Sequence, residues 1–270
     1  MKKTIAAIMA HADDIEISAG GTFAKYLTEG YKGLYGVLSR CNSGWTVSEE
    51  TGGHYTSSLA IIPRRRAEAE AAAKIFGAEL YYGDLLENCH TLKDGTRIIP
   101  SYLGSQDLEG ERIQTDEIPE GNLFATVAGA GDIWDSHPVI RTLTELLIEW
   151  EPELVIGQAI GNFNPDHFCA AQIIAIAWQL AAKKVDLGSY WIPAMYSAQP
   201  EYLFPPLKPD HFVDVTGYED ICLKAMACHR SQGQHLARAQ QRKRESWKAW
   251  GPETEGDSCE AFLKIYKKET

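Results

Sequence analysis

The sequence predicts an α/β fold: a mostly parallel sheet with helices on both faces and a long loop insertion. Short apolar segments alternate along the chain with longer segments of helical composition, which is the order expected of a doubly wound parallel sheet. Residues 84–136 have little helical periodicity and contain many Gly, Pro and Asp residues, which indicates the insertion. With 270 residues, of which 44% are hydrophobic, we expect one domain spanning residues 1–270.

The part of the chain before the insertion contains three predicted strands and two predicted helices. Each strand is a short apolar run, whereas the helix that begins at Pro63 is rich in Ala and Glu and ends near Gly77. Within the insertion, Lys93-Asp94-Gly95 indicates a β-hairpin turn. In chain order, the predicted elements are a strand at 4–10, a helix at 20–29, a strand at 33–39, the helix at 63–77 and a strand at 79–82.

The part of the chain after the insertion repeats the alternation. A Gly/Asn loop and Pro165 separate the fourth predicted strand from an apolar helix. The predicted elements are a helix at 138–150, a strand at 153–157, a helix at about 166–182, short strands at 194–197 and 212–215, and a largely helical segment at 218–250.

Composition and charge exclude several classes of function. The net charge of −11 argues against binding to nucleic acid, which requires a basic surface, and against binding to a membrane surface. No run approaches the ~20 apolar residues of a membrane span, and the short apolar run after Lys2-Lys3 is better explained as the first strand than as a signal peptide. The six cysteines are scattered without a CxxC pair, which favours reduced thiols in a cytoplasmic protein.

Two polar clusters follow predicted strands at the point where each strand ends. His11, Asp13 and Asp14 come directly after the first strand, and residues 162–167 follow the fourth strand. Parallel α/β sheets bind ligands at the carboxyl ends of their strands, so both clusters are expected at the same edge. The sequence therefore predicts a functional site at this edge.

His11, Asp14 and the distant His167 are candidate metal ligands. Two histidines and one carboxylate leave a coordination position for water, as in hydrolytic Zn²⁺ sites, and another divalent metal would also suit these ligands. Asp13 is then a candidate general base acting on that water. The alternative is that Asp13 and Asp14 only cap the following helix and interact favourably with its dipole.

Five stretches of the chain resemble, in order, the motifs of the PIG-L/LmbE-like zinc-dependent deacetylases. AHADDIEISAGGT at 10–22 is similar to the family signature AHPDDExxxxGGT, and Asn164-Pro165-Asp166-His167 is similar to its His-Pro-Asp-His motif. Arg65 and Glu68 resemble the R-x-x-E pair of a family helix. Asp214-Val215 and KAMACHRSQ at 224–232 resemble the family's late strand and its H-x-S-Q helix.

The resemblance implies a Rossmann-like fold and a zinc-dependent hydrolase that removes an N-acyl group from a glucosamine-type small molecule, with acetyl as the expected acyl group. His11, Asp14 and His167 match the family's zinc ligands, and Asp13 matches its general base. Arg65 matches an arginine that contacts the substrate in some members, with Glu68 as its partner on the helix. Asp166 matches the aspartate that acts with the first histidine of the second motif.

Position 164 is the main departure from the family pattern. Asn164 stands where the family has a histidine that acts as an electrostatic stabiliser or general acid, and asparagine carries neither a positive charge nor a transferable proton at pH 7. It can still donate a hydrogen bond to an oxyanion, a contribution of ~3 kcal/mol in a favourable case. The loop histidines His54 and His137 are candidates for the missing acid, and the alternative for each is an exposed loop residue.

Further residues are weighed against simpler explanations. Arg40, after the second strand, and Trp45, in a loop where its ring would stack on a sugar, are candidate substrate contacts. His229 has either a packing role or an exposed position on its helix. Gly20-Gly21 is expected to allow a close approach between the helix and the metal-binding loop. Glu16 lies one place beyond the family's glutamate and is not expected to take part.

Two other functions remain open at this point. Asn164 is also consistent with a non-catalytic protein that binds a metal or a sugar and descends from such enzymes. The same site would serve an amidase acting on another C–N bond, such as that of a thiol conjugate. A homo-oligomer remains open as well.

Overall fold

A computed structural model describes residues 3–45, 55–57, 59–87, 90–91, 97–101, 104–106, 138–158, 164–194 and 208–266. Most of its strands belong to one large sheet, and the others form two small antiparallel sheets. In chain order, the strands of the described residues are β1 (Thr4–Met9), β2 (Lys32–Ser39), β3 (Ser43–Trp45), β4 (Tyr55–Ser57), β5 (Glu79–Leu85), β6 (His90–Thr91), β7 (Arg97–Ser101), β8 (Gly104–Gln106), β9 (Leu154–Ile156), β10 (Ser189–Pro193), β11 (His211–Asp214) and β12 (Cys259–Tyr266).

The large sheet has seven strands in the order β11-β12-β10-β9-β1-β2-β5. Neighbouring strands are parallel from β10 through β9, β1 and β2 to β5, and β12 runs antiparallel to both β10 and β11. The order β5-β2-β1-β9-β10 is that of a Rossmann-like sheet, in which the order of strand addition reverses between β1 and β9. The smaller sheets pair β3 with β4, and β7 with both β6 and β8.

Helices cover both faces of this sheet because successive side chains of β1 point to opposite sides. The helices of the described residues are α1 (Asp14–Thr28), α2 (Ile62–Phe76), α3 (Pro138–Trp150), α4 (Pro165–Ala182), α5 (Glu219–Met226) and α6 (Gln234–Trp250), with 3₁₀ turns at Leu59–Ile61, Arg230–Gln232 and Gly251–Glu253. Ile5, Ala7 and Met9 lie in one apolar core with side chains of α1, α2, α5 and α6, whereas Ala6 and Ile8 lie in a second core with side chains of α3 and α4. The predicted fold class is thus confirmed.

Several predicted boundaries differ from the structure. Helix α1 begins at Asp14 and not at 20, and it contains a break at Ala19, where φ is −140°. The strand predicted at 194–197 is found earlier, as β10, and residues 195–197 lie outside the described residues. The helical segment at 218–250 is interrupted before α6, because Gly233 adopts a positive φ of 54°. Strand β12 was not predicted.

The Gly20-Gly21 pair lets α1 pack closely, but its neighbours differ from those expected. A Cβ atom on Gly20 would lie 2.5 Å from Cys222 Sγ of α5, and one on Gly21 would lie 2.9 Å from Val215 Cβ. The expectation of a close approach to the metal-binding loop was therefore wrong, because these glycines face α5 and the residue that follows β11.

A buried ion pair joins α6 to β12 of the sheet and to α1. Lys243 Nζ lies 2.6 Å from Glu260 Oε1, and each side chain is 3% exposed. The Glu260 carboxylate also accepts hydrogen bonds from the backbone N–H groups of Gly21 and Thr22 and from Trp247 Nε1. Burial opposes ionisation of Glu260, but Lys243 and these donors hold the pKa of its carboxyl below the ordinary value.

Replacing Glu260 with glutamine is expected to lower the free energy of unfolding by about 3–5 kcal/mol, because Lys243 would remain buried without its counter-charge. Urea unfolding at pH 7 measures this, with Glu149→Gln on the exposed face of α3 as the matched control. Since the folded pKa of Glu260 is depressed, its contribution is present above about pH 4.5 and is lost as the pH falls below that value. A loss below 1 kcal/mol would show that the pair does not stabilise the fold.

Among the residues that the structure describes, no helix combines the length and the apolar character needed to cross a membrane. Their cysteines are free thiols: Cys41, Cys169, Cys222, Cys228 and Cys259.

Candidate metal centre and its surroundings

Two adjacent parallel strands bring the polar clusters to one edge of the sheet. β1 pairs with β9, and His11 lies two residues after the end of β1, while Asn164 and the start of α4 come after β9 in the chain. The connections from these two strands lead to opposite halves of the sheet, to β2 and to β10. This reversal opens a crevice at the carboxyl ends of the strands, where open α/β sheets bind ligands.

His11, Asp14 and His167 converge in this crevice. Their potential ligand atoms all lie within 4.8 Å of one another. His11 Nδ1 lies 3.1 Å from His167 Nε2 and 3.2 Å from Asp14 Oδ2, and His167 Nε2 lies 3.1 Å from Asp14 Oδ1. Two imidazole nitrogens and a carboxylate facing a common point are the donor set that suits a divalent metal such as Zn²⁺. The described residues therefore fit such an ion.

The electrostatics of this cluster favour an ionised Asp14. Burial opposes its charge, but His167 and His11 lower the pKa of the Asp14 carboxyl far below its ordinary value. The backbone N–H of His11 also donates to Asp14 Oδ2 at 2.8 Å, which fixes the carboxylate beside the two rings. Burial would lower the pKa of the His11 imidazole, yet Asp14 and Asp166 raise it well above its ordinary value.

Asp13 occupies the N-cap position of α1 but makes no capping hydrogen bond with its side chain. The alternative that Asp13 only caps the helix is therefore not supported. Its carboxylate lies 3.7 Å from the guanidinium of Arg65. Burial raises the pKa of Asp13, and Arg65 acts in the opposite direction.

Arg65 is held by its own set of partners on α2 and beyond. Its guanidinium donates to the carbonyl oxygen of Ala12 at 3.1 Å and to Ser231 Oγ at 3.4 Å, and its side chain is 2% exposed. Glu68 accepts hydrogen bonds from the backbone N–H and the hydroxyl of Ser231 at 2.8 and 2.5 Å. The Arg65–Glu68 pair of the family motif thus fastens the Ala12-Asp13 loop to the H-x-S-Q segment. Substrate contact by Arg65 stays a prediction.

Asn164 is the N-cap of α4. Its Oδ1 accepts the backbone N–H of Asp166 at 2.9 Å, so the group that its side chain can offer as a donor is the Nδ2 amide. Asp166 Oδ2 lies 3.4 Å from His11 Nε2, on the side of the ring opposite Nδ1. The structure therefore brings Asp166 to the ring of His11, and Asn164 supports Asp166 through its backbone N–H.

The structure adds Glu87, which the sequence reasoning missed. Glu87 is buried just after β5, and its carboxylate groups with His11 and Asp166, with potential ligand atoms within 4.8 Å of one another. Burial raises the pKa of this carboxyl, His11 acts in the opposite direction, and Asp166 raises it further. Its place at the carboxyl end of a parallel strand is the signal that points to it.

Glu16 and His229 form a buried pair behind Asp13. Both side chains are fully buried, and His229 Nε2 lies 3.1 Å from Glu16 Oε1. Glu16 also accepts a hydrogen bond from the Tyr35 hydroxyl at 3.0 Å. The exposed position considered for His229 was therefore wrong, and Glu16 has a structural partner although it is displaced from the family's glutamate.

The remaining candidates lie at the same edge or outside the described residues. Arg40 follows β2, and its Nε lies 2.7 Å from Asp84 Oδ1, with the side chain one-third exposed. Trp45 is the last residue of β3, and its side chain lies outside the described residues, as do His54 and His137. Their roles in substrate binding or proton donation remain predictions.

The fold and the site together define a Rossmann-like α/β protein with a two-histidine, one-carboxylate centre at the switch point of its sheet. The model of one protein family, PIG-L (GlcNAc-PI de-N-acetylase), matches residues 6–178. The chain belongs to the PIG-L family, which confirms the resemblance seen in its motifs.

Solved structures with different activities share this fold. The hydratase GalB (4-carboxy-2-hydroxymuconate hydratase) from Pseudomonas putida KT2440 is 20% identical, with a TM-score of 0.63 over 100% of this chain and 98% of that one. The N,N'-diacetylchitobiose deacetylase from Pyrococcus horikoshii is 20% identical, with a TM-score of 0.61 over 97% and 84% of the chains. The zinc-inhibited form of teicoplanin deacetylase Orf2 is 17% identical, with a TM-score of 0.62 over 98% and 100%. At these identities the similarity establishes the fold.

Proposed function

We propose that this protein is a zinc-dependent hydrolase that removes an N-acyl group from a glucosamine-type small molecule, with acetyl as the expected acyl group. The observation that carries the proposal is the convergence of His11, Asp14 and His167, with Asp13 next to Asp14 in the chain. Membership of the PIG-L family supports the reaction, and the deacetylases of the same fold support the class of substrate. Reduced thiols favour action in the cytoplasm.

In this proposal each residue has a separate task. His11, Asp14 and His167 would hold the ion, which when bound acts as a Lewis acid and lowers the pKa of water. Asp13 accepts the proton of the attacking water, and Arg65 holds the Asp13 carboxylate in place. The Asn164 amide donates a hydrogen bond to the developing oxyanion, while its own Oδ1 remains bonded to the backbone of Asp166.

Replacing His11 with alanine is expected to abolish tight zinc binding, because His11 supplies the nitrogen that faces both Asp14 and His167. Metal analysis of the protein after gel filtration measures the zinc content. His235→Ala, at an exposed position on α6, is the matched control and should keep its zinc. Retention of tight zinc by His11→Ala would contradict the ligand assignment.

Acetate release from N-acetylglucosamine and related N-acetyl sugars tests the activity itself. The panel should include a thiol-conjugate amide and an unsaturated hydroxy acid, since the same fold also carries a hydratase. We expect amide hydrolysis with one carboxylate released per amine formed. A zinc-loaded protein that hydrolyses no member of the N-acyl panel would contradict the proposed reaction.

A second candidate is a non-catalytic protein that binds a metal or a sugar, and Asn164 is the observation that favours it. Replacing Asn164 with histidine is expected to raise deacetylation if the chain is an enzyme that lacks only its charged stabiliser. The rate of acetate release at pH 7 measures this, with ligand affinity determined in parallel. Unchanged activity together with unchanged ligand binding would favour the binding protein.

A further inference from the structure

We propose that the same edge of the sheet holds a second divalent-cation site, formed by His11, Glu87 and Asp166. It goes beyond the proposed function, with which it shares His11 as a ligand and Asp166 as the residue whose backbone N–H is bonded to Asn164. One ligand atom from each residue lies within 4.8 Å of the other two. Because an imidazole nitrogen lies among the two carboxylates, this is a mixed set of metal donors and not a cluster of acids alone.

The two ligand sets lie on opposite nitrogens of the His11 ring. Nδ1 faces Asp14 and His167 at 3.2 and 3.1 Å, whereas Nε2 lies 3.4 Å from Asp166 Oδ2. The two nitrogens of an imidazole point away from each other, so one ring can serve two ions. A second ion replaces the proton on Nε2, which is released to water, and approaches a neighbouring positive charge, so it binds more weakly than the first.

The spacing of the second set suits a small divalent ion. Zinc lies about 2.0–2.2 Å from nitrogen and oxygen ligands, which places two ligands of one tetrahedral ion roughly 3.3–3.6 Å apart. The 3.4 Å between His11 Nε2 and Asp166 Oδ2 falls in this range. A set of one nitrogen and two oxygens suits zinc or manganese.

The acidic character of the ligands and the hydrogen bonds from neighbouring residues also favour a cation at this second site. Glu87 and Asp166 are both buried, so two carboxyl groups face one imidazole in a region shielded from water. The backbone N–H of Glu87 donates to Asn42 Oδ1 at 2.8 Å, and Ser43 makes a hydrogen bond to its carboxylate. Asn164 fixes the backbone of Asp166 in the same way. An outer hydrogen bond to a ligand side chain, such as that of Ser43 to the Glu87 carboxylate, is typical of built metal sites.

Zinc titration of the metal-depleted protein, followed by native mass spectrometry, tests the proposal. The wild-type protein should bind two zinc ions of different affinity. Glu87→Gln should lose the weaker ion and keep the tighter one, and His167→Ala should show the opposite loss. Glu149→Gln, which changes the same charge on the exposed face of α3, should still bind two ions. Circular dichroism spectra verify that each variant is folded.

Two outcomes overturn the second site. One is a single ion in the wild-type protein that is kept in Glu87→Gln and lost in His167→Ala, which leaves the proposed function intact. The other is a Glu87→Gln variant that still binds two ions. A single ion lost only in Glu87→Gln supports the second site and instead overturns the ligand set of the proposed function. Anomalous difference maps of wild-type crystals at excess zinc show directly whether one or two ions are bound and where, without any variant.

Discussion

Replacing Asp13 with asparagine is expected to lower kcat/KM for N-acetyl hydrolysis by about 10²–10⁴-fold, the usual contribution of a general base. Asparagine has nearly the same shape as aspartate but cannot accept the proton of the attacking water. The Asp13 side chain makes no capping hydrogen bond, so the change removes no support from α1. The ligands of the metal are untouched, and the zinc content is expected to remain as in the wild-type protein.

Steady-state kinetics with zinc analysis of the same samples distinguishes a general base at position 13 from a structural part of the metal centre. Asp186→Asn, in the exposed loop after α4, is the matched control and should retain full activity. If Asp13→Asn lost zinc in proportion to its activity, Asp13 would be a structural part of the metal centre. If it kept both zinc and activity, another group would have to accept the proton.

Much of the fold could be predicted because its local signals agree with its tertiary structure. The helix at 138–150 was predicted with the bounds that α3 has, and the apolar run at 4–10 is β1 with one residue fewer. Gly77, expected near the end of its helix, adopts a left-handed φ of 75° as the C-cap residue of α2. The parallel order then places His11 and His167 at one edge without further information.

Strand β12 escaped prediction because its pattern is interrupted by a charge that only the tertiary structure explains. Glu260 lies in the interior, where an apolar residue would be expected, and its partner Lys243 comes from α6. An isolated glutamate next to Cys259 gives no indication of a buried strand. A long-range ion pair of this kind leaves no local trace in the sequence.

The residues of the candidate site differ in the same way, because some lie in local sequence motifs and others come together only in the tertiary structure. His11, Asp13, Asp14 and His167 lie in short motifs, so their sequence alone indicated a centre. Glu87 depends on the path of the chain after β5, and its neighbours His11 and Asp166 are distant in the sequence. Contacts of this type form only once the strands are in register, which sequence motifs do not record.

Replacing Arg65 with glutamine is expected to lower the free energy of unfolding by about 3–5 kcal/mol and to lower kcat more than it raises KM. The buried guanidinium lies between the carboxylates of Asp13 and Glu68, at 3.7 and 3.8 Å, and it also donates to the carbonyl of Ala12. Without it, Asp13 loses its paired cation, Glu68 keeps only its pair with Arg64 at 3.3 Å, and the Asp13 loop loses its anchor. Arg65 lowers the pKa of Asp13, so the acidic limb of the kcat profile should move to higher pH.

The split between kcat and KM decides between positioning and substrate contact for Arg65. An arginine that mainly binds substrate would affect KM, whereas one that holds Asp13 affects kcat and stability together. Arg65→Lys keeps the charge but loses the planar fork of donors, so it should recover stability in part and kcat only slightly. Arg66→Gln is the matched control, because Arg66 is the next residue in the chain and pairs with Glu70 on the exposed face of α2. A stable Arg65→Gln protein with a raised KM and an unchanged kcat would assign this arginine to the substrate, because a residue that held the general base could not be removed without slowing the chemical step.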